Sequence, residues 1–285
     1  MKNKQALYAI LTLLLIPIGL CLIIVKLTVP LPTPKHAPVK IVTDYVAYQQ
    51  IAQDIVGSDG HVQLLSGQLP TRQQRQKFKQ AEVVLTDSHD SSLLTQRQKF
   101  QLRSKVLIAS DGVKPQSATH YWLSPQVTLQ SVTRLSDLLS DFDPQNRDFY
   151  IKQSQALLDK MKPLAEGIAH LQAEKNVQYL ATNHAQDLFM TQLGYQTAQA
   201  DIESATDADF DALAQKMQDH TIRFILNASQ DASPNDQRLL QLANDHHIPI
   251  ITFNQILPTD QKVWDWQLSF VTQLQAALKP TEGEN

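Results

Sequence analysis

From residue 39 onward, short apolar runs alternate with segments whose apolar residues recur at helical spacing. Residues 39–43, 62–65, 82–86 and 105–109 are runs of strand length, rich in β-branched residues. Between them, 45–56 sets Val46, Ile51 and Ile55 at helical intervals, 71–80 reads as a polar helix, and 91–102 as another. Strands and helices taking turns in this way predict parallel βαβ units. Residues 124–142 then carry Leu129, Val132, Leu135, Leu138 and Leu139 on one helical face.

The longest helical pattern follows. Asp143 can cap it, Pro144 suits its first turn, and Tyr150, Leu157, Leu158, Met161, Leu164, Ile168 and Leu171 continue it to about residue 172, with a bend expected at Pro163. A helix of that length reaches about 40 Å, more than the width of one lobe, which suits a spine between two lobes. The alternation then resumes, with strands at 177–181, 222–227 and 248–252 and helices at 185–193, 207–219, 234–246 and 264–278. The predicted fold class is α/β: two Rossmann-like lobes with parallel sheets, residues 39–142 and 174–285, joined by one long spine helix over 143–173 and facing a cleft.

The first 28 residues read differently. Residues 6–25 carry no charge and are long enough to cross the roughly 30 Å hydrocarbon layer, which predicts a signal anchor or signal peptide. Cys21, the sole cysteine, lies inside this run. Lipidation there is the alternative to an uncleaved anchor, although Leu20 replaces the small residue that such processing favours. Residues 29–38 hold Pro30, Pro32, Pro34 and Pro38 and predict an extended linker. A cysteine-free remainder fits an extracytoplasmic location, and a net charge of −3 gives no basic field for nucleic acid.

Candidate chemistry centres on histidine. Two of the nine histidines, His120 and His184, each follow an apolar run and are candidate ligands for one metal. Ser88, His89 and Asp90 are the residue types of a hydrolytic triad, but sequence neighbours rarely achieve its geometry, no glycine-rich phosphate loop is present, and the chain does not read as an enzyme. Trp122, Trp264 and Trp266 are expected to pack the lobe interface and the closing helix.

Several segments, in order, resemble the solute-binding proteins of zinc and manganese ABC importers. Residues 118–125, containing His120-Tyr-Trp-Leu-Ser-Pro125, resemble that family's DPHxWLDP segment, and 143–150 resemble its DPxNxxxY opening of a backbone helix. Residues 182–195, with His184, resemble SHxAFxYLxxxYGL, and 81–85 resemble the ADLVF strand. The resemblance covers about residues 39–279 and implies a receptor that binds a divalent metal between two lobes and serves an ABC transporter permease. Carried over by position, it implies His120 and His184 as two ligands and Asp260 as the carboxylate, with Asp265 as the fallback. The family's first histidine is missing, and Ser66 stands in its place. Two imidazoles and a carboxylate favour zinc over manganese, with weaker binding than a full four-ligand site. His61 or His89 is a conceivable replacement. The departures also allow a second reading, a degenerate pseudo-receptor that acts as a surface adhesin or interaction protein.

Overall fold

The computed structural model describes residues 39–58, 60–113, 120–228 and 232–279. The N-terminal apolar segment with Cys21 and the proline-rich linker lie outside the described residues. Among those described, no helix is long and apolar enough to cross a membrane.

The first lobe alternates β1 (Lys40–Thr43), α1 (Val46–Val56), β2 (His61–Leu64), α2 (Arg72–Lys79), β3 (Val83–Thr86), α3 (Ser92–Lys99) and β4 (Lys105–Ile108), followed by a 3₁₀ turn at Tyr121–Leu123 and α4 (Pro125–Phe142). Its sheet runs β2-β1-β3-β4, all parallel, with Thr43 beside both Leu64 and Leu85. Every residue of β3 is buried, as expected of a central parallel strand covered on both faces. The second lobe contains β5 (Gln178–Ala181), α7 (Asp187–Leu193), β6 (Gln196–Thr197), α8 (Asp207–Gln218), β7 (Ile222–Ala228), α9 (Pro234–Asp245), β8 (Ile250–Phe253) and α10 (Val263–Leu278). Its sheet, β6-β5-β7-β8, repeats the order of the first and is also parallel. The two-residue β6 is too short to announce itself by periodicity.

Between the lobes lie α5 (Arg147–Lys160) and α6 (Lys162–Ala173). The expected single spine is thus two consecutive helices with Met161 at their junction. Pro163 explains the break, because it has no N–H to donate and its ring crowds the carbonyl four residues back. The chain opens this region with a 3₁₀ turn at Pro144–Asn146, and the Asp143 carboxylate accepts hydrogen bonds from Asn146 Nδ2 (2.7 Å) and Tyr150 Oη (2.8 Å).

One apolar core runs through both lobes, from Ile41, Val83 and Leu107 through Leu135, Tyr150 and Leu164 to Phe224, Leu226 and Ile251. Smaller clusters cover the outer faces, around Phe78 in the first lobe and around Phe210, Leu213 and Leu239 in the second. Where α6 crosses α10, a Cβ on Gly167 would lie 2.6 Å from Val271 Cγ1, so glycine sets how closely these helices approach. Polar contacts join the same surfaces. Gln267 Nε2 donates to Trp122 O and Thr128 Oγ1, each at 2.9 Å, and Ser124 Oγ donates to Gln192 Oε1. Gln50 donates to Gln261 O (2.9 Å) and accepts from Val263 N (2.7 Å).

Candidate metal centre

In parallel sheets the loops after the strand carboxyl ends gather at one edge, which is where α/β proteins place their sites. Ser66 follows β2, His184 follows β5 and Asp260 follows β8; His120 comes after β4, just before the Tyr121–Leu123 turn. The sequence candidates therefore share the functional edges of the two sheets. His61 does not. It opens β2 beside Lys40, at the opposite end of the strand, so it is no replacement for the missing histidine. His89 is at the correct end, but its Nε2 pairs with Asp111 Oδ1 at 2.7 Å. That pairing, rather than Ser88 or Asp90, occupies the imidazole, so the local Ser-His-Asp sequence forms no triad.

His120 is half-buried, and its Nδ1 is buried without a hydrogen-bond partner. In the tautomer protonated at Nε2, this unpartnered nitrogen has a free lone pair that suits a cation. His184 stands open, with its side chain 72% exposed and Nδ1 2.8 Å from Asp187 Oδ2. A carboxylate accepting from Nδ1–H leaves Nε2 as the ligand atom, the usual arrangement around a metal-binding imidazole. Asp201 also lies within electrostatic range of His184, although its lowered pKa comes first from its hydrogen bond with Ser204. Asp260, Asp265 and Ser66 are exposed. Among the described residues, no three His, Cys, Asp or Glu side chains form a group able to hold a metal ion. His120, His184 and Asp260 are therefore not drawn together around a common point. The donor types still fit zinc, and capture by these three would require the exposed His184 and Asp260 to shift towards His120.

Two further carboxylates, which the histidine-based reading missed, stand at this edge of the first lobe. Asp87 directly follows β3 and is only 2% exposed. It accepts from Tyr121 N and Trp122 N, each at 2.8 Å, and from the Tyr48 hydroxyl. Burial raises its pKa, and those three hydrogen bonds oppose the rise. Asp44, one residue beyond β1, accepts from Ser91 Oγ through Oδ2, while its Oδ1 is buried and unpartnered. Burial raises this carboxyl as well, and the charge of Asp44 adds to the upward shift of Asp87. Both were open to detection as acidic residues closing apolar strand runs. Gln267 carried a different signal, a polar residue on the periodic core face of α10. The tryptophans behave as expected: Trp122 stacks on Trp266 at 5.7 Å across the join between lobes, and it meets Tyr45 of its own lobe at 6.1 Å.

Solved structures with this fold include a periplasmic metal binding protein from Candidatus Liberibacter asiaticus, 14% identical, with a TM-score of 0.62 over 85% of this chain and 100% of that one. Its Cd-bound form is 15% identical with a TM-score of 0.63 over the same shares. A mutant structure of the laminin-binding adhesin Lmb from Streptococcus agalactiae is 14% identical, with a TM-score of 0.60 and coverage of 85% and 100%. The family model described as zinc-uptake complex component A, periplasmic, matches residues 41–276. With nearly the whole described chain matched, this protein belongs to that family, a family of periplasmic metal-binding receptors and not of enzymes.

Proposed function

We propose that the chain captures a divalent metal ion, zinc in preference to manganese, outside the cytoplasm and delivers it to the permease of an ABC importer. The observation that carries this reading is His120, whose Nδ1 is buried without a partner at the functional edge of a zinc-uptake family fold. His120 and His184 supply imidazole nitrogens and Asp260 a carboxylate, while Ser66 offers at most a weak oxygen or a water contact. Nitrogen donors favour zinc, and the absent first histidine lowers affinity below that of a four-ligand site. The N-terminal apolar segment would hold the receptor at the membrane, as an uncleaved anchor or through lipid on Cys21.

Titration calorimetry with zinc and with manganese tests the reading. Zinc is expected to bind more tightly, and His120→Ala and His184→Ala are each expected to weaken it by about tenfold or more, at least the loss typical of disturbing a ligand's supporting shell. No response to either metal would refute metal capture, and a response that ignores both substitutions would refute the ligand assignment. Two observations support a second reading as a surface adhesin with degenerate metal binding: Ser66 in place of histidine, and the lack of an assembled three-ligand group among the described residues. In that case the titrations are silent while the protein still binds a surface partner.

A further inference from the structure

We propose that Asp87 is the positioning residue of metal capture, fixing His120 by capping the Tyr121–Leu123 turn from a neighbouring strand. This rests on the reading of His120 as a ligand. His120 occupies the N-cap position of the turn, with φ −141° and ψ 91°, but its side chain makes no capping bond. The first N–H groups of a helical turn need acceptors, normally from the cap residue itself. Here the acceptors come from 34 and 35 residues away: Asp87 Oδ2 takes Tyr121 N–H and Oδ1 takes Trp122 N–H, both at 2.8 Å. The Tyr121 N–H belongs to the peptide that begins at the His120 carbonyl, so this bond pins the orientation of the His120 backbone directly. At the other side of the turn, Gln267 binds the Trp122 carbonyl. The segment carrying the ligand is therefore held through its donors by the first lobe and through an acceptor by the second.

A charged carboxylate suits this task better than a neutral amide. It offers two oxygens to three donors, counting the Tyr48 hydroxyl, whereas an amide would turn its NH₂ group towards one of them. Among the described residues, no lysine or arginine pairs with Asp87, so its two oxygens are left to these three donors.

Zinc titration and metal-free unfolding of the full chain separate positioning from mere structural support. Asp87→Asn removes one acceptor from the turn, while Tyr48→Phe removes the third donor and leaves both turn bonds intact. Asp87→Asn is expected to weaken zinc binding by about tenfold or more, within the range for an outer-shell partner. Tyr48→Phe is expected to lower the unfolding midpoint with zinc affinity unchanged within about twofold. In a His120→Ala background, Asp87→Asn should bring no further loss of affinity. If Asp87→Asn fails to fold, Asp87→Glu, which keeps both oxygens but shifts them by one methylene, is expected to show the same loss. Wild-type affinity in the Asp87 variant, equal losses in both single variants, or full additivity with His120→Ala would overturn the proposal. If His120→Ala alone leaves zinc binding untouched, the ligand assignment itself fails, an outcome distinct from a failure of Asp87 with His120 confirmed.

Discussion

Gln267 gives the sharpest test of how the lobes hold the candidate site. It is 1% exposed on α10, donates to Trp122 O and Thr128 Oγ1, and leaves its own Oε1 buried and unpartnered. Gln267→Ala removes two bonds worth about 1 kcal/mol each, strands the Trp122 carbonyl, and opens a void where the amide stood. Loss of the unsatisfied Oε1 offsets part of this, so the expected net cost is about 1–3 kcal/mol. For a chain of this size that corresponds to a fall in Tm of about 2–4 °C per kcal/mol. Gln267→Leu fills the void and should recover the packing part but not the polar part. Gln267→Glu should destabilise most at neutral pH, because a buried carboxylate would face the Trp122 carbonyl oxygen, and should recover on acidification as it becomes protonated and can donate. Urea unfolding of the metal-free protein reads these values, with Gln273→Ala as the exposed reference on the same helix, expected to be within about 0.5 kcal/mol of wild type. Refutation is a Gln267→Ala cost no larger than that of Gln273→Ala, or a Glu variant whose deficit ignores pH.

Asp44 sets a pH expectation: because burial raises its pKa, the stabilising effect of its protonation is present below the unfolded value near 3.8 and is lost as pH rises through the folded value. Asp44→Asn, which mimics the protonated form, should therefore raise the urea midpoint at neutral pH and flatten its decline above pH 3.8; an unchanged profile would contradict the burial argument. Gly167→Ala gains about 1 kcal/mol of helix propensity but forces its Cβ onto Val271, an overpacking cost of about 1–3 kcal/mol, so thermal unfolding should show a net loss that Val271→Ala relieves. Zinc at about a hundred times its Kd should stabilise the protein by about 2.7 kcal/mol, and a chelator should reverse the shift. Persistence of that shift in a His120→Ala, His184→Ala double variant would place the metal elsewhere.

The parallel lobes were readable because their strands are short, apolar and separated by helical periods. The spine was readable in extent but not in continuity. Its apolar spacing runs unbroken past Met161, and the expected bend at Pro163 became a full break because one missing N–H and one steric clash interrupt the hydrogen-bond ladder locally. Candidate ligands were readable by residue type, but their arrangement was not. Histidine announces itself by chemistry, so His120 and His184 stood out, whereas Asp87 acts through backbone N–H groups 34 and 35 residues away, a relation that no local pattern encodes. His61 shows the converse error: the predicted strand at 62–65 already put it at the strand's start, whereas the candidate ligands gather where the strands end.

The continuous core constrains how such a site can work. Residues of both sheets, α4, α5, α6 and α10 belong to one buried cluster, and separating the lobes would expose that apolar surface at about 25 cal/mol for each Å². Gln267, Ser124 and Gln50 would also lose their partners across the join. A wide hinge motion is therefore the costly route to closure. Local shifts disturb less apolar surface: His184 and Asp260 are themselves exposed, although Ala185 and Leu257 beside them pack on the core, while His120 is held by a capped turn inside the join. If the proposed ligands are right, His120 is the fixed member of the set and the exposed His184 and Asp260 are the ones that must close on it.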